Sequence, residues 1–253
     1  LCADSNHALI EPAKTQVESL QSIRSVERLF APELSALSFT PPALDADDLC
    51  FLQFTSGSTS RPKGVMVTHR NLIANATAFL GPAGLDRRDD DLGVSWLPLY
   101  HDMGLVGGVF TSLFHGRDLV LIPPELFVVR PALWLRAIAR HRATISPAPN
   151  FAYALCTERV RDEELDGADL SSWRVALNGA EPVTPLALER FVERFSRWGL
   201  RPEALTPVYG LAEATLAVTF SAVERPFRVR HFDARVLAED GRAVDKPISA
   251  TLR

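Results

Sequence analysis

Apolar runs of strand length alternate with amphipathic stretches of helical length over most of the chain. Six short apolar runs predict strands. They are LCFLQF (49–54), GVMVTH (64–69), LGVSWL (92–97), RDLVLIP (117–123), WRVALNG (173–179) and LTPVYG (205–210). A seventh run, ATISP (143–147), is short and predicted to be buried. Because strands that alternate with helices usually form parallel sheets with covered faces, the pattern predicts an α/β fold of mostly parallel β-sheets covered by helices.

Helical periodicity and cap residues locate the intervening helices. Thr68 is positioned to cap a helix from His69 to about Leu80, and a second helix is predicted at about 103–115. Residues 131–142 (PALWLRAIARHR) have proline in the first turn, and residues 184–199 (TPLALERFVERFSRWG) run from a cap threonine to a terminating glycine. The predicted apolar faces are Leu133, Trp134, Ala137 and Ile138 on the former helix, and Leu188, Phe191, Val192 and Phe195 on the latter.

Composition narrows the class of protein. The 253 residues are 47% hydrophobic and 23% charged, as in an ordinary globular protein, and the net charge of −4 argues against an extended nucleic-acid surface. Three widely spaced cysteines, Cys2, Cys50 and Cys156, suggest neither a disulfide framework nor a zinc site, so a reducing, cytoplasmic setting is expected. The longest apolar stretch, 103–114, is too short and glycine-containing to predict a transmembrane segment.

The chain divides into three predicted regions. Residues 1–48 form an N-terminal segment with a helix at about 15–30 and a linker, FTPPALDADD, at 39–48. Residues 49–220 form the core, and residues 221–253 are weakly patterned. The chain starts at Leu1 without methionine and ends in ISATLR with no closing element, so we expect a piece of a longer polypeptide.

The loop TSGSTSRPKG (55–64) holds the most specific chemistry. It offers five hydroxyl side chains, two glycines that allow close approach of the backbone, and the cations Arg61 and Lys63. Such a loop suits a polyphosphate. It is not a kinase-type P-loop, because Lys63 precedes Gly64 and a strand follows instead of a helix. Taken alone, the composition is also that of an ordinary mobile surface loop.

Four ordered motifs together carry a family resemblance. They are TSGSTSRPKG (55–64), SWLPLYHDMGL (95–105), NGAEPV (178–183) and YGLAEATL (209–216). They resemble the adenylate-forming superfamily of acyl-CoA synthetases and adenylation domains, with Ser60 where glycine is common and Ala212 where threonine is common. Within it, SWLPLYHDMG, PNFAYALC (149–156) and YGLAEATLAV most resemble fatty acyl-AMP ligases, in the large N-terminal AMP-binding domain.

The resemblance implies roles for individual residues. Its ATP-phosphate residues would be Thr55, Ser56, Gly57, Ser58, Thr59, Lys63 and Gly64. Its adenine-binding residues would be Asn178, Gly179, Ala180, Glu181, Pro182, Tyr209 and Gly210. Its acyl pocket would comprise His101, Met103, Gly104, Asn150, Phe151 and Tyr153. Lys63, His101 and Glu213 would be catalytic, with Glu213 also the metal ligand for Mg²⁺, which a hard carboxylate oxygen suits.

The implied reaction joins a long-chain fatty acid to ATP, giving acyl-AMP and pyrophosphate. The acyl group would then pass to the phosphopantetheine of an acyl carrier protein in polyketide or lipid biosynthesis. The family's ribose-binding aspartate, its small C-terminal domain and that domain's lysine would lie beyond Arg253, and residues 221–253 resemble the start of a subfamily insertion. The isolated chain is therefore expected to bind ATP weakly and to turn over poorly.

Alternatives remain open at each level. The chain could belong to a fatty acyl-CoA synthetase or a peptide-synthetase adenylation domain, or to a non-catalytic nucleotide-binding scaffold. Among the residues, Tyr209 could be a core tyrosine, Glu213 a first-turn acid favoured by the helix dipole, and His101 a structural histidine. Phe151 and Tyr153 could be plain core aromatics.

Overall fold

Residues 11–12, 40–55 and 62–246 are described by the structure, a computed structural model. The chain divides into two units, Leu1–Leu44 and Asp45–Arg253, and the predicted core belongs to the second. The helix predicted at about 15–30 and residues 56–61 of the phosphate loop lie outside the described residues.

Two sheets are formed by the described residues. The strands are β1 (Leu49–Thr55), β2 (Lys63–Thr68), β3 (Gly93–Ser95), β4 (Leu119–Leu121), β5 (Ile145–Ala148), β6 (Val175–Asn178), β7 (Leu205–Gly210) and β8 (Ala217–Phe220). Strands β1 and β2 form an antiparallel pair, and the others form a six-stranded sheet in the order β4-β3-β5-β6-β7-β8. Every pair in this sheet is parallel except β7 with β8. The predicted fold class is confirmed.

The helices connect these strands. They are α1 (His69–Leu80), α2 (with α-helical ends Asp102–Gly104 and Thr111–His115), α3 (Pro124–Val129), α4 (Ala132–His141), α5 (Asn150–Arg159), α6 (Pro185–Phe195) and α7 (Ala234–Asp240). The middle of α2, Leu105–Phe110, is π-helical. There the Thr111 hydroxyl donates to the carbonyl of Val106 at 2.6 Å, five residues back, which matches the wide turn.

An aromatic cluster beneath helices α4, α5 and α6 dominates the core. Trp134, Tyr153, Trp173 and Phe191 are fully buried. Their rings meet edge to face, with centroids 5.1 Å apart for Trp134 and Trp173 and 5.0 Å apart for Tyr153 and Phe191. This is a favourable geometry for aromatic pairs, so the cluster fixes how the three helices sit against the sheet.

Two details of the predicted helices need correction. On α4 the buried residues are Ala132, Trp134, Leu135 and Ile138, whereas the predicted Leu133 and Ala137 are only half-buried, because the buried face is centred one residue later than predicted. Thr184 occupies the position before α6 as predicted, but its side chain makes no capping bond. Its hydroxyl instead accepts a hydrogen bond from Asn150 at 3.0 Å, because a tertiary contact competes with the cap.

The predicted cap at Thr68 is confirmed and gives a testable stability effect. Its hydroxyl accepts from the amide of Asn71 at 3.2 Å, and the Asn71 side chain accepts from the amide of Thr68 at 3.1 Å. Thr68→Ala is expected to lower the free energy of unfolding by about 1 kcal/mol, measured by urea titration. Thr68→Ser keeps the hydroxyl and should retain most of this stability, so equal losses in both variants would contradict a capping role.

Candidate active site

A cavity of about 550 Å³ lies between the six-stranded sheet and helices α1 and α2. Strands β3 to β8 contribute its walls on one side, and the two helices contribute residues such as Phe79, Met103 and Gly107 on the other. Its volume is that of a site for a small organic ligand. The cavity reaches the carboxyl ends of β6 and β7, which is the edge where open α/β sheets bind ligands.

The backbone is tightly packed at this edge. A Cβ on Gly179 would lie 2.8 Å from the Val208 side chain, and one on Gly210 would lie 2.0 Å from the carbonyl oxygen of Leu216. Ala180 follows with a left-handed φ of 66° and lines the cavity. Only glycine fits these two contacts, so the chain presents a close-packed surface beside Tyr209, which is 60% exposed.

The rest of the NGAEP turn is held by hydrogen bonds to helix α5. The Glu181 carboxylate accepts from the amide of Phe151 at 2.6 Å, at the start of that helix. The Asn150 side-chain oxygen accepts from the amide of Thr184 at 3.1 Å and from the Asn178 side chain at 3.2 Å. Asn150 and Glu181 therefore fix the shape of the turn, and Ala180 is the one NGAEP residue that lines the cavity, whereas Asn178, Gly179, Glu181 and Pro182 do not.

Four residues that the sequence assigns to an acyl pocket lie outside the cavity wall. They are Gly104, Asn150, Phe151 and Tyr153, whereas His101 and Met103 line the cavity. Tyr153 is fully buried, and its hydroxyl donates to the carbonyl of Leu177 at 2.8 Å. Gly104 is needed for packing, since a Cβ there would lie 2.5 Å from the carbonyl oxygen of Pro98.

The predicted phosphate loop joins the ends of the two-stranded sheet. Thr55 and Lys63 are directly opposed in the β1–β2 register, so the pairing holds both ends of the loop. Thr55 also lines the cavity, and the backbone of Gly64 runs beside the Phe54 ring. Ser56, Gly57, Ser58 and Thr59 lie outside the described residues.

His101 is paired with a buried carboxylate at the mouth of the cavity. Its Nδ1 lies 2.9 Å from Asp102 Oδ1, which also accepts from the amide of Met103 at 2.6 Å. The hydrogen bond with Asp102 raises the pKa of His101 above its ordinary value, against the lowering effect of partial burial. His101 Nδ1 also accepts from the amide of Met103 at 3.2 Å, so the two residues that follow His101 fix the orientation of its ring.

Glu213 is an exposed carboxylate that borders the same cavity. It lies in the 3₁₀ turn Ala212–Ala214, just after β7. The part of the chain that the structure describes contains no group of three or more His, Cys, Asp or Glu side chains able to hold a metal ion. A single carboxylate nevertheless fits Mg²⁺, which is commonly held by one or two carboxylates together with phosphate oxygens and water.

Four residues that position the site or extend it were not predicted from the sequence. The buried Gln53 side chain on β1 donates to the carbonyl of Tyr100 at 3.0 Å, which ties that strand to the loop carrying His101. Arg87, His115 and Arg117 border the other end of the cavity. No local motif marks these residues, because each contributes through contacts with parts of the chain distant in sequence.

Among the described residues, no helix is long and apolar enough to cross a bilayer. The fold and the cavity define an α/β protein with a candidate ligand site at the carboxyl edge of its sheet. The sequence profile of the AMP-binding enzyme family matches residues 3–246. The chain belongs to this family.

Three similar proteins place the chain within the family. It is 41% identical to the medium-chain-fatty-acid–[acyl-carrier-protein] ligase JamA of Moorena producens, over 85% of this chain and 36% of JamA. It is 44% identical to the long-chain-fatty-acid–AMP ligase FadD23 of Mycobacterium tuberculosis, over 74% of this chain and 33% of FadD23. The chain thus spans about a third of the length of these curated relatives.

The third is a solved structure. The fatty acyl-adenylate ligase of Legionella pneumophila, in complex with acyl adenylate and pyrophosphate, superposes with a TM-score of 0.79. Its sequence is 38% identical, and the match covers 88% of this chain and 39% of that one. The architecture described above is therefore that of adenylate-forming enzymes.

Proposed function

We propose that the natural protein activates a fatty acid with ATP and passes the acyl group to the phosphopantetheine thiol of an acyl carrier protein. The observation that carries the proposal is a single cavity that joins a polar edge to an apolar chamber. Tyr209, Glu213 and Thr55 lie at the polar edge, and Phe79 and Leu80 lie in the chamber. JamA, a fatty-acid–[acyl-carrier-protein] ligase, and the Legionella fatty acyl-adenylate ligase support the same chemistry.

Each part of the substrate pair has matching residues. Tyr209 offers an exposed ring on which adenine would stack, beside the backbone of Gly179, Ala180 and Gly210. Lys63 and Thr55, at the two ends of the 56–61 loop, would bind phosphate oxygens. Glu213 would hold Mg²⁺, which would neutralise charge on the phosphates.

The chemical step is a displacement at phosphorus. A carboxylate oxygen of the fatty acid attacks the α-phosphorus of ATP, the bond from that phosphorus to the bridging oxygen breaks, and pyrophosphate leaves with the electron pair. Positioning and charge neutralisation supply the acceleration. His101 would face the reacting oxygens, and Lys63 would neutralise the phosphates.

The domain interpretation and the setting belong to the same proposal. We assign residues 49–220 to the ATP- and acyl-binding core, with residues 221–253 leading into a subfamily insertion. The whole reaction would use parts of a longer enzyme, since this chain matches only 36% of JamA and 33% of FadD23. The expected location is the cytoplasm, where ATP and carrier proteins are available.

A product assay with the natural full-length protein tests the proposal. The protein is incubated with mixed fatty acids, ATP, Mg²⁺, CoA and a pantetheinylated carrier protein, and the products are identified by mass spectrometry. We expect acyl-AMP and acyl-carrier protein without acyl-CoA. Abundant acyl-CoA would move the protein to the acyl-CoA synthetases, and nucleotide binding without either product would favour a non-catalytic scaffold.

A further inference from the structure

The far end of the cavity is polar. Its middle is apolar, with Phe79, Leu80, Val94 and Leu216 in the wall. Beyond them the wall contains charged or titratable side chains, namely Arg87, Asp91, His115, Arg117 and Asp118. A chamber built only to receive a terminal methyl group would be expected to stay apolar to its end, because burying polar groups without partners costs free energy.

This polar end lies opposite the proposed nucleotide edge. Gly93 and Leu119, which border it, are the first residues of the parallel strands β3 and β4, whereas Ala180 and Tyr209 lie at the carboxyl ends of β6 and β7. Helix α2 spans the distance, with His101 before its first turn and His115 in its last. Fourteen helical residues cover about 20 Å, which is room for a long extended chain.

Hydrogen-bonding capacity is left over at this end. The His115 Nε2 and Arg117 Nε atoms are both buried and have no hydrogen-bond partner among the described residues. The other two nitrogens of Arg117 are already bonded to Asp89, one to its carbonyl and one to its carboxylate. Buried polar atoms are nearly always satisfied, so two orphans bordering one cavity point to a ligand with an oxygen atom at that position.

The neighbouring carboxylates do not bond to the unpaired His115 Nε2 and Arg117 Nε atoms. Asp91 is occupied by Arg174, which binds both of its carboxylate oxygens, and by the Thr144 hydroxyl at 2.7 Å. Asp89 is paired with Arg117. Asp118 is exposed, and its carbonyl accepts from the amide of Gly93. Since acids and cations are otherwise balanced here, a neutral oxygen function fits as well as an anion.

The state of His115 agrees with this arrangement. Burial, together with the charges of Arg87 and Arg117, lowers the pKa of His115 below its ordinary value. A neutral imidazole presents one donor and one acceptor, which suits a hydroxyl or a carboxyl group.

We propose that the far end of the cavity recognises an oxygen function at the ω end of the acyl chain, bound by His115 and Arg117. The preferred substrates would then be ω-hydroxy or ω-carboxy fatty acids, not simple alkyl acids of the same length. The inference rests on the proposed function, because it assigns this cavity to the acyl chain. It adds the substrate class.

Paired substrate series test it on the natural full-length protein with ATP and Mg²⁺. Decanoic, dodecanoic, tetradecanoic and hexadecanoic acids are compared with their ω-hydroxy and α,ω-dicarboxylic counterparts by pyrophosphate release. We expect kcat/KM to be at least about tenfold higher for the best ω-oxygenated acid than for the plain acid of equal length, since a hydrogen bond to an otherwise unpaired buried group is lost with the plain chain.

Variants separate recognition from a structural effect. His115→Leu is expected to reduce the ω preference to within about twofold of unity, whereas His115→Gln keeps an N–H donor and should retain part of it. The matched control is His141→Leu, on the exposed end of α4 and away from the cavity, which should keep the wild-type preference.

Three results would overturn the inference in distinguishable ways. Acyl-AMP formed equally well from plain and ω-oxygenated acids would reject the ω recognition and leave the proposed function standing, as would a preference that persists in His115→Leu. Failure to form acyl-AMP from any acid would reject the proposed function together with this inference.

Discussion

Replacing Arg174 by methionine is expected to lower the free energy of unfolding by about 3–5 kcal/mol. Arg174 and Asp91 are almost completely buried, with 3% and 6% of their side chains exposed, and their closest nitrogen–oxygen distance is 2.6 Å. The guanidinium also donates to the carbonyls of Leu85 and Asp86. Methionine would leave a buried carboxylate and two carbonyls without these donors, and such uncompensated groups are costly.

Urea titration of the Arg174→Met variant measures this effect. The matched control is Arg235→Met, because Arg235 forms a similar ion pair with Glu239 at 2.9 Å on the surface, with 73% and 59% of the side chains exposed. That change should cost far less, since water already solvates both groups. Adding Asp91→Leu to Arg174→Met should recover part of the loss, because it removes the unpaired charge. Equal losses at the two arginines would contradict this account.

The same ion pair predicts how stability depends on pH. Burial alone raises the pKa of Asp91, but the hydrogen bonds from Arg174, the Arg88 amide and Thr144, with the charge of Arg174, hold it below its ordinary value. A lowered pKa in the folded state stabilises the protein above the unfolded pKa of about 4, and this contribution is lost as the pH falls through the folded pKa. The stability gap between wild type and Arg174→Met should therefore narrow below about pH 4.

Replacing Glu213 by glutamine is expected to lower kcat for acyl-AMP formation by about 10²–10³-fold. The change preserves shape and removes the charge that would hold Mg²⁺ against the phosphates. Glu213 is exposed and has no ion pair among the described residues, so the free energy of unfolding should stay close to that of wild type. A loss of rate without a loss of stability is the signature expected of a metal ligand.

Pyrophosphate exchange with the full-length protein measures this loss over a range of Mg²⁺ concentrations. If Glu213 binds the metal, the variant should need more Mg²⁺ to reach its maximal rate. Glu189→Gln, an equally exposed change on helix α6, serves as the control and should behave as wild type. Unchanged activity and Mg²⁺ dependence in Glu213→Gln would assign Glu213 to an ordinary turn.

Local signals predicted local structure well. The six runs predicted as strands form strands, with boundaries within a few residues, because each carries its own burial pattern. Thr68 caps α1 because its partner, Asn71, lies three residues along the chain. Thr184 also precedes a helix, but its hydroxyl accepts a hydrogen bond from Asn150, which lies 34 residues away, and does not cap the helix. A cap is predictable only where no tertiary contact competes for the side chain.

In the candidate site, too, the residues that belong to a local motif were predicted better than those whose role depends on tertiary contacts. The residues contributed by the YGLAE motif, Tyr209 and Glu213, do border the cavity, as does Ala180 from NGAEP. The sequence did not predict the role of the segment PNFAY. Asn150 and Tyr153 pack and form hydrogen bonds around α5 instead of lining the cavity. Whether an aromatic or amide side chain faces a cavity or the core depends on helix orientation, which periodicity alone does not supply.

The sequence by itself determined the α/β class, the order of the predicted strands with the helices at α1, α2, α4 and α6, and the motifs at the proposed nucleotide edge, because these depend on residues close together in the chain. Only the tertiary structure decided the buried pair of Asp91 and Arg174, which lie 83 residues apart, and the polar far end of the cavity. The physical reason is that their energetics come from burial and from partners brought close by sheet pairing and helix packing. No short stretch of sequence encodes how deeply these side chains are buried or which residues they contact.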